Sequence, residues 1–164
     1  MNGIILGILL ILVIGFIIYL HIQIVPKTKI YVVERLGKFH KVHQAGVFFL
    51  IPFVDKVKTK LNSQTNYLTI EPIEVETNDN TKKVITFSNI GYTINDVQKL
   101  IYDHPDYNKE LLSIVYNVTT NSFKNYSSQE IKSYQTDIEK TIKDTLNIKV
   151  KSFGIQITST KFKI

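Results

Sequence analysis

Apolar and polar positions along this chain follow three successive patterns. In the first, Met1 to Pro26, no side chain carries a formal charge at neutral pH, and Ile4 to Val25 is apolar almost throughout. As a helix, those 22 residues reach ~33 Å against a hydrocarbon core of ~30 Å, which predicts a transmembrane segment ended by Pro26. The rival reading, a buried core helix, is set aside because the stretch, with Ile4, Leu10, Phe16 and Val25 along its length, is apolar on every face and flanks the soluble domain rather than lying within it. A cleaved leader would need a basic start and small residues before the cut. Met1-Asn2-Gly3 and "IIYLHIQIVP" supply neither, so residues 1–26 are expected to be a retained anchor. Gly3 and Gly7 make a small-xxx-small pair at its very start, a pattern more often tolerated than used for pairing.

The second pattern has a period of two and predicts strands. "TKIYVVERLGKF" is β-branched and breaks at Gly37; "VFFLIP" reads as a buried strand. "NYLTIEPIEVETNDN" alternates around Pro72, with Ile70, Ile73 and Val75 apolar and Asp79-Asn80 as a turn. "KKVITFSNIGYTI" is a strand pair or one bulged strand, with the break near Gly91.

From Asn95 the period lengthens to that of a helix. Val97, Leu100 and Ile101 mark a first helix, and Leu111, Leu112, Val115, Val118 and Phe123 a second, begun by Pro105. Ser127 to Glu130 fits a capping box, followed by Ile131, Tyr134, Ile138, Ile142 and Leu146. "IKVKSFGIQITSTKFKI" then returns to alternation, read as a closing strand pair bent at Phe153-Gly154. The expected architecture is an anchor over 1–26 and one α+β domain over 27–164, with three helices packed on a mainly antiparallel sheet.

Charge adds a direction. The net +6 comes from nineteen Lys and one Arg, and Lys27, Lys29, Arg35, Lys38 and Lys41 crowd the end next to the anchor. That asymmetry predicts a cytoplasmic domain. Nucleic-acid readers favour Arg for bidentate contacts to bases and phosphates, so a surplus made almost wholly of Lys predicts no nucleic-acid partner, and a surface near anionic lipid headgroups accounts for it as well. The chain lacks cysteine, which excludes disulfides, thiolate metal sites and thiol catalysis.

Four stretches, in order, carry a resemblance. "ERLGKF" followed by "AGVFFLIPFVD", then "EPIEVETNDN", then "IGYTIND", then "YSSQEIKSYQTDIEKTIKDTL" with "FGIQITSTKFKI", are similar to the SPFH (band 7) family of stomatin-like and prohibitin-like membrane proteins. Ala45 stands where that family usually has Pro, and Gln64 and Gln135 where it commonly has Arg. The resemblance implies an SPFH-like domain, no catalysis, and oligomeric scaffolding. The chain stops before the helical coil that drives assembly in relatives, so a short form is expected.

The resemblance also places "VFFLIP" nearest the bilayer. Val47, Phe48, Phe49, Leu50, Ile51 and Phe53 are therefore candidate membrane-contact residues. The competing reading turns Val47, Phe49 and Ile51 into the core and packs Phe48 and Leu50 under a helix.

Candidate chemistry is thin. His40-x-x-His43 looks like half a metal site, but Gly37 and Gly46 predict a loop around it, with no further ligands nearby. Asp103, His104 and Asp106 cluster in "YDHPDY" without a nucleophile elbow. Glu71, Glu74, Glu76 and Asp79 read as a solvated strand face and turn. No catalytic, cofactor-binding or metal-binding residues are expected, and no cofactor. The expected function is lateral organisation of proteins or lipids in the membrane. The expected partners are the bilayer, further copies or other SPFH proteins; the alternatives are an adaptor of a membrane protease and a subunit that caps assemblies of larger relatives.

Overall fold

The computed structural model describes residues 2–164, which form two compact units, up to Ser63 and from Gln64 onward.

The first unit begins with α1 (Asn2–Leu20), whose side chains are exposed from Gly3 to its end. The anchor helix thus stops at Leu20 and not at Pro26. His21 turns the chain out of the helix, its N–H donating to Ile18 O and its ring Nδ1 lying 2.8 Å from Ile17 O. Beyond it "IQIV" is extended as β1 (Ile22–Val25). Val25, expected on the helix, is instead 3% exposed in that strand. The physical reason lies in "HIQIV": its alternation of Ile22, Gln23, Ile24 and Val25 suits a strand, and an unbroken apolar run hides it. At 19 residues α1 spans ~28 Å, close to one hydrocarbon thickness.

β1 pairs antiparallel with β4 (Gly46–Phe49) as a two-stranded ribbon. Beside it in sequence lies a three-stranded antiparallel sheet in the order β3-β2-β5, from β2 (Lys29–Arg35), β3 (Lys38–His43) and β5 (Asp55–Asn62). The β2–β3 hairpin turns through Leu36 and Gly37, both at positive φ (50° and 80°), the mirror-image turn that matches strand twist. Ile30, Val32 and Val33 are buried in the central strand.

The second unit is built on β8 (Lys82–Ile94), one long strand with register shifts between Phe87 and Asn89 and between Gly91 and Tyr92. A single bulged strand therefore answers the question posed by Gly91. β7 (Ile73–Glu76) pairs with its first half, β6 (Asn66–Leu68) with its second, and β9 (Ile155–Lys163) along most of its length, all antiparallel. A π-helical turn, Lys99–Asp103, stands where the first helix was expected. α2 (Tyr107–Phe123) follows, then α3 (Glu130–Ser133) and α4 (Gln135–Lys149), split at Tyr134. Leu111, Val115, Phe123, Ile138, Ile142 and Leu146 meet Ile85, Ile90, Ile157 and Phe162 of the sheet in one core. Leu112 and Tyr134, read as part of those stripes, are exposed.

The closing strand pair is corrected to a single strand. Asn147 to Lys149 finish α4, because Leu146 and Val150 both sink into the core at helical spacing and outweigh the local alternation. β9 has its outer edge covered by α4 side chains. Asn147 both donates to Ile157 O and accepts from Ile157 N–H, at 3.2 and 2.7 Å, and Glu139 accepts from Phe162 N–H. Gln135, at a position where Arg was anticipated from the resemblance, donates to Phe162 O at 2.9 Å. Such cover removes a template for stray strand pairing.

The Ser127 to Glu130 cap forms in one direction, Glu130 accepting from Ser127 N–H and Oγ. Asp79 latches the β7–β8 turn to the same loop, accepting from Ser128 N–H and Oγ at 3.1 and 2.7 Å and from the Thr77 hydroxyl. Those hydroxyls, Thr77 first, hold the Asp79 carboxyl far below the ordinary carboxylate range.

Candidate membrane-contact face

The β1–β4 ribbon sorts its side chains by the pleat. Ile22 pairs with Phe49 and Ile24 with Val47, so these four lie on one face. All four are exposed, Val47 to 70%. Gln23, Phe48 and Val25 lie on the other. Phe48 stacks on His43 at 3.8 Å and meets Tyr31 edge-on at 6.3 Å. Burial, followed by the nearby Lys41 and His40 charges, pushes the His43 imidazole below its ordinary value.

The apolar face runs directly into α1. Leu50 N–H donates to His21 O at 3.0 Å, and the His21 ring lies 6.3 Å from that of Phe49. Past Leu50, which is half-buried, Ile51 is exposed and Phe53 stands fully in solvent at φ 64°. A non-glycine residue in the left-handed region costs energy and is held by its surroundings. Here the holder is Asp55, which accepts from Ile51 N–H and from both nitrogens of an Arg35 fork.

The six residues singled out from sequence thus divide. Val47, Phe49, Ile51 and Phe53 point outward, while Phe48 packs within the unit and Leu50 is half covered. The core placement of Val47, Phe49 and Ile51 does not occur. Ile22 and Ile24 complete the face and were missed, since the sequence reading put them on the helix. Leu36, exposed at the β2–β3 turn with its N–H donating to Val54 O, adds a second apolar tip beside Phe53's loop.

The other candidates resolve as structural. His40 and His43 sit on strand β3, not in a loop, because Leu36-Gly37 alone makes the turn. Three residues apart on a strand, they point to opposite faces. His104 lies 2.9 Å from Glu110 and stacks on Phe153 at 3.9 Å, so it fastens the π turn and the Phe153-Gly154 bend. Glu74 pairs with Lys82 across β7 and β8. Among the described residues no three His, Cys, Asp or Glu side chains gather as a metal site.

Two curated relatives share segments with the chain. A stomatin-like protein of Caenorhabditis elegans, stl-1, is 49% identical over 37 residues, 23% of this chain and 11% of that protein. An uncharacterized protein of Methanothermobacter thermautotrophicus is 30% identical over 103 residues, 63% of this chain and 32% of that protein. The chain therefore aligns with less than a third of either relative's length. Residues 23–163 match the SPFH domain / Band 7 family from β1 to the end of β9. With that match over most of its length, and with an apolar helix ahead of it, the chain belongs to the SPFH domain / Band 7 family of membrane-associated proteins.

Proposed function

We propose that this protein is a non-catalytic membrane scaffold, anchored by α1 and steadied at the bilayer by the apolar face that continues from it. The observation that carries this reading is the outward row Ile22, Ile24, Val47 and Phe49, joined through His21 and Leu50 to the apolar helix. A helix alone leaves a domain free to swivel. A second apolar contact a few residues away fixes its orientation, and Phe49 with Ile51 and Phe53 supplies it. Confinement to two dimensions raises local concentration, so weak contacts between neighbouring copies or other SPFH chains suffice for lateral assembly.

By the positive-inside rule, the basic residues that follow α1 favour a cytoplasmic side for the soluble part. Protease protection in intact cells and in opened spheroplasts tests the orientation, with cleavage expected only after opening. Crosslinking in native membranes, together with sizing in mild detergent, tests the assembly. Ladders of multimers are expected; a strictly monomeric species in both would overturn the scaffold reading.

A further inference from the structure

The charge of this protein is divided as unequally as its apolar surface. Residues 1–63 hold seven Lys and one Arg against only Glu34 and Asp55, whereas residues 64–164 hold twelve Lys against twelve acids. The whole net charge of +6 therefore belongs to the unit that bears α1 and the apolar face. Both acids of that unit are already engaged inside it. Asp55 takes the Arg35 fork at 2.7 and 3.0 Å, and Glu34 lies 3.3 Å from the Lys58 ammonium. No further carboxylate remains in the unit for Lys27, Lys29, Lys38, Lys41, Lys56 and Lys60.

Placement makes the surplus useful. Lys38 follows the exposed Leu36 by two residues across the turn, at most ~7 Å of chain, and Lys56 follows Phe53 by three, at most ~11 Å. Lys27 follows the exposed Ile24 by three as well. Lysine ammoniums on flexible stems beside apolar tips match a surface with hydrocarbon below and negative charge above it. Such distances fall within about one Debye length at ordinary salt, so attraction to charged headgroups survives screening.

We propose that the first unit selects anionic phospholipid, its lysines engaging the headgroups around the points where Leu36, Phe49 and Phe53 enter the bilayer. The inference rests on the membrane-contact reading above and adds the lipid class. Each lysine near such a surface strengthens its attraction by a factor of about five, so loss of three is a large change.

The chain contains no tryptophan, so Phe53→Trp introduces a single reporter. The full-length F53W chain is reconstituted in phosphatidylcholine vesicles, and in vesicles with equimolar phosphatidylglycerol, each containing chain-brominated lipid as quencher. Quenching is expected in both, rising roughly two-fold or more with phosphatidylglycerol and returning to the lower level at high salt. In the same F53W background, Lys27→Gln, Lys38→Gln and Lys56→Gln together are expected to abolish the rise. Lys109→Gln, Lys124→Gln and Lys140→Gln, with the same loss of net charge in the second unit, are expected to leave it intact. Equal quenching in the two lipids, or equal loss in the two triple variants, overturns the anionic selection while leaving membrane contact standing. Absence of quenching in both lipids overturns the contact itself, and the inference with it.

Discussion

Arg35 and Asp55 join the turn end of the β2–β3 hairpin to the start of β5 through a two-pronged ion pair, Nε to Oδ1 at 2.7 Å and Nη2 to Oδ2 at 3.0 Å. The Asp55 side chain is 3% exposed and that of Arg35 38%, so the carboxylate is enclosed while the cation keeps contact with water. Asp55 also accepts from Ile51 N–H, and its own N–H donates to Ile51 O. One carboxylate thereby fixes both the strained loop that displays Phe53 and the strand end beside Leu36.

The clasp has a pH signature. The Arg35 hydrogen bond foremost, aided by Ile51 N–H and opposed by burial, lowers the Asp55 carboxyl from an ordinary 3.8 to about 2. An unfolded chain accordingly takes up this proton at higher pH than the folded one. The stabilisation is complete well above 3.8 and drains away as pH falls from there toward 2. Asp55→Asn is expected to cost ~1–2 kcal/mol at neutral pH, the range for a hydrogen-bonded charge, with the exposed guanidinium keeping it modest. Thermal melts of both proteins, followed by circular dichroism, should diverge at neutral pH and converge near pH 2. A gap independent of pH would show that the carboxylate's charge contributes nothing.

Gly154 is required twice over. Its φ is 69°, and a Cβ there would lie 2.5 Å from Asp96 O and 2.6 Å from Asp96 Cβ. Its carbonyl also accepts from both Asn95 and Asp96 N–H at 2.8 Å, tying the end of β8 to the start of β9. Gly37 has a similar φ of 80° with open space around it. Asn tolerates the left-handed region, so Gly37→Asn should cost only a few tenths of a kcal/mol. Gly154→Asn should cost ~1–3 kcal/mol or more, because the backbone of Asp96 cannot yield. Equal melting temperatures for the two variants would contradict the close approach at Asp96.

Most of this architecture is legible in the chain, and the failures have particular causes. Helix stripes such as Leu111, Val115 and Val118 announce themselves because one face meets a sheet. β1 was concealed: only Gln23 marks its alternation, Ile22 and Ile24 are apolar yet turn outward, and the strand follows an apolar helix almost at once. At the other end, "IKVKSF" alternates locally, yet Ile148 and Lys149 finish α4 and Lys151–Phe153 form a 3-10 turn, since Leu146 and Val150 are buried four residues apart. "VFFLIP" showed that an apolar segment was present but not which way it faced. The outward turn of Val47 and Phe49 depends on pairing with β1, the strand the sequence concealed.

Thr119 offers a stability gain. It lies on α2 wholly buried, and among the described residues its hydroxyl finds no hydrogen-bond partner. Enclosing an unpaired hydroxyl typically costs ~1–3 kcal/mol, and valine has the same branched shape without it. Thr119→Val should therefore raise stability by about 1 kcal/mol, or a few degrees in Tm. An unchanged or lowered Tm would indicate that the hydroxyl is satisfied in solution.

Phe48 and Phe49, neighbours in sequence, should answer to different measurements. Phe48 is held between His43 and Tyr31, so Phe48→Ala removes packing inside the unit. Being half covered, it should cost about half the ~3–5 kcal/mol of a fully buried phenylalanine. Phe49 lies across from Ile22 on the outward face. Phe49→Ser should change the stability of the detergent-solubilised chain by no more than ~0.5 kcal/mol, the usual range at an exposed site. On the scaffold reading the same change weakens bilayer contact, whereas Phe48→Ala leaves the outward row intact. Paired melts and lipid-quenching measurements on the two full-length variants separate these roles. A large loss of stability from Phe49→Ser, with lipid contact unchanged, would mean that the row Ile22, Ile24, Val47 and Phe49 is covered by protein and not by lipid.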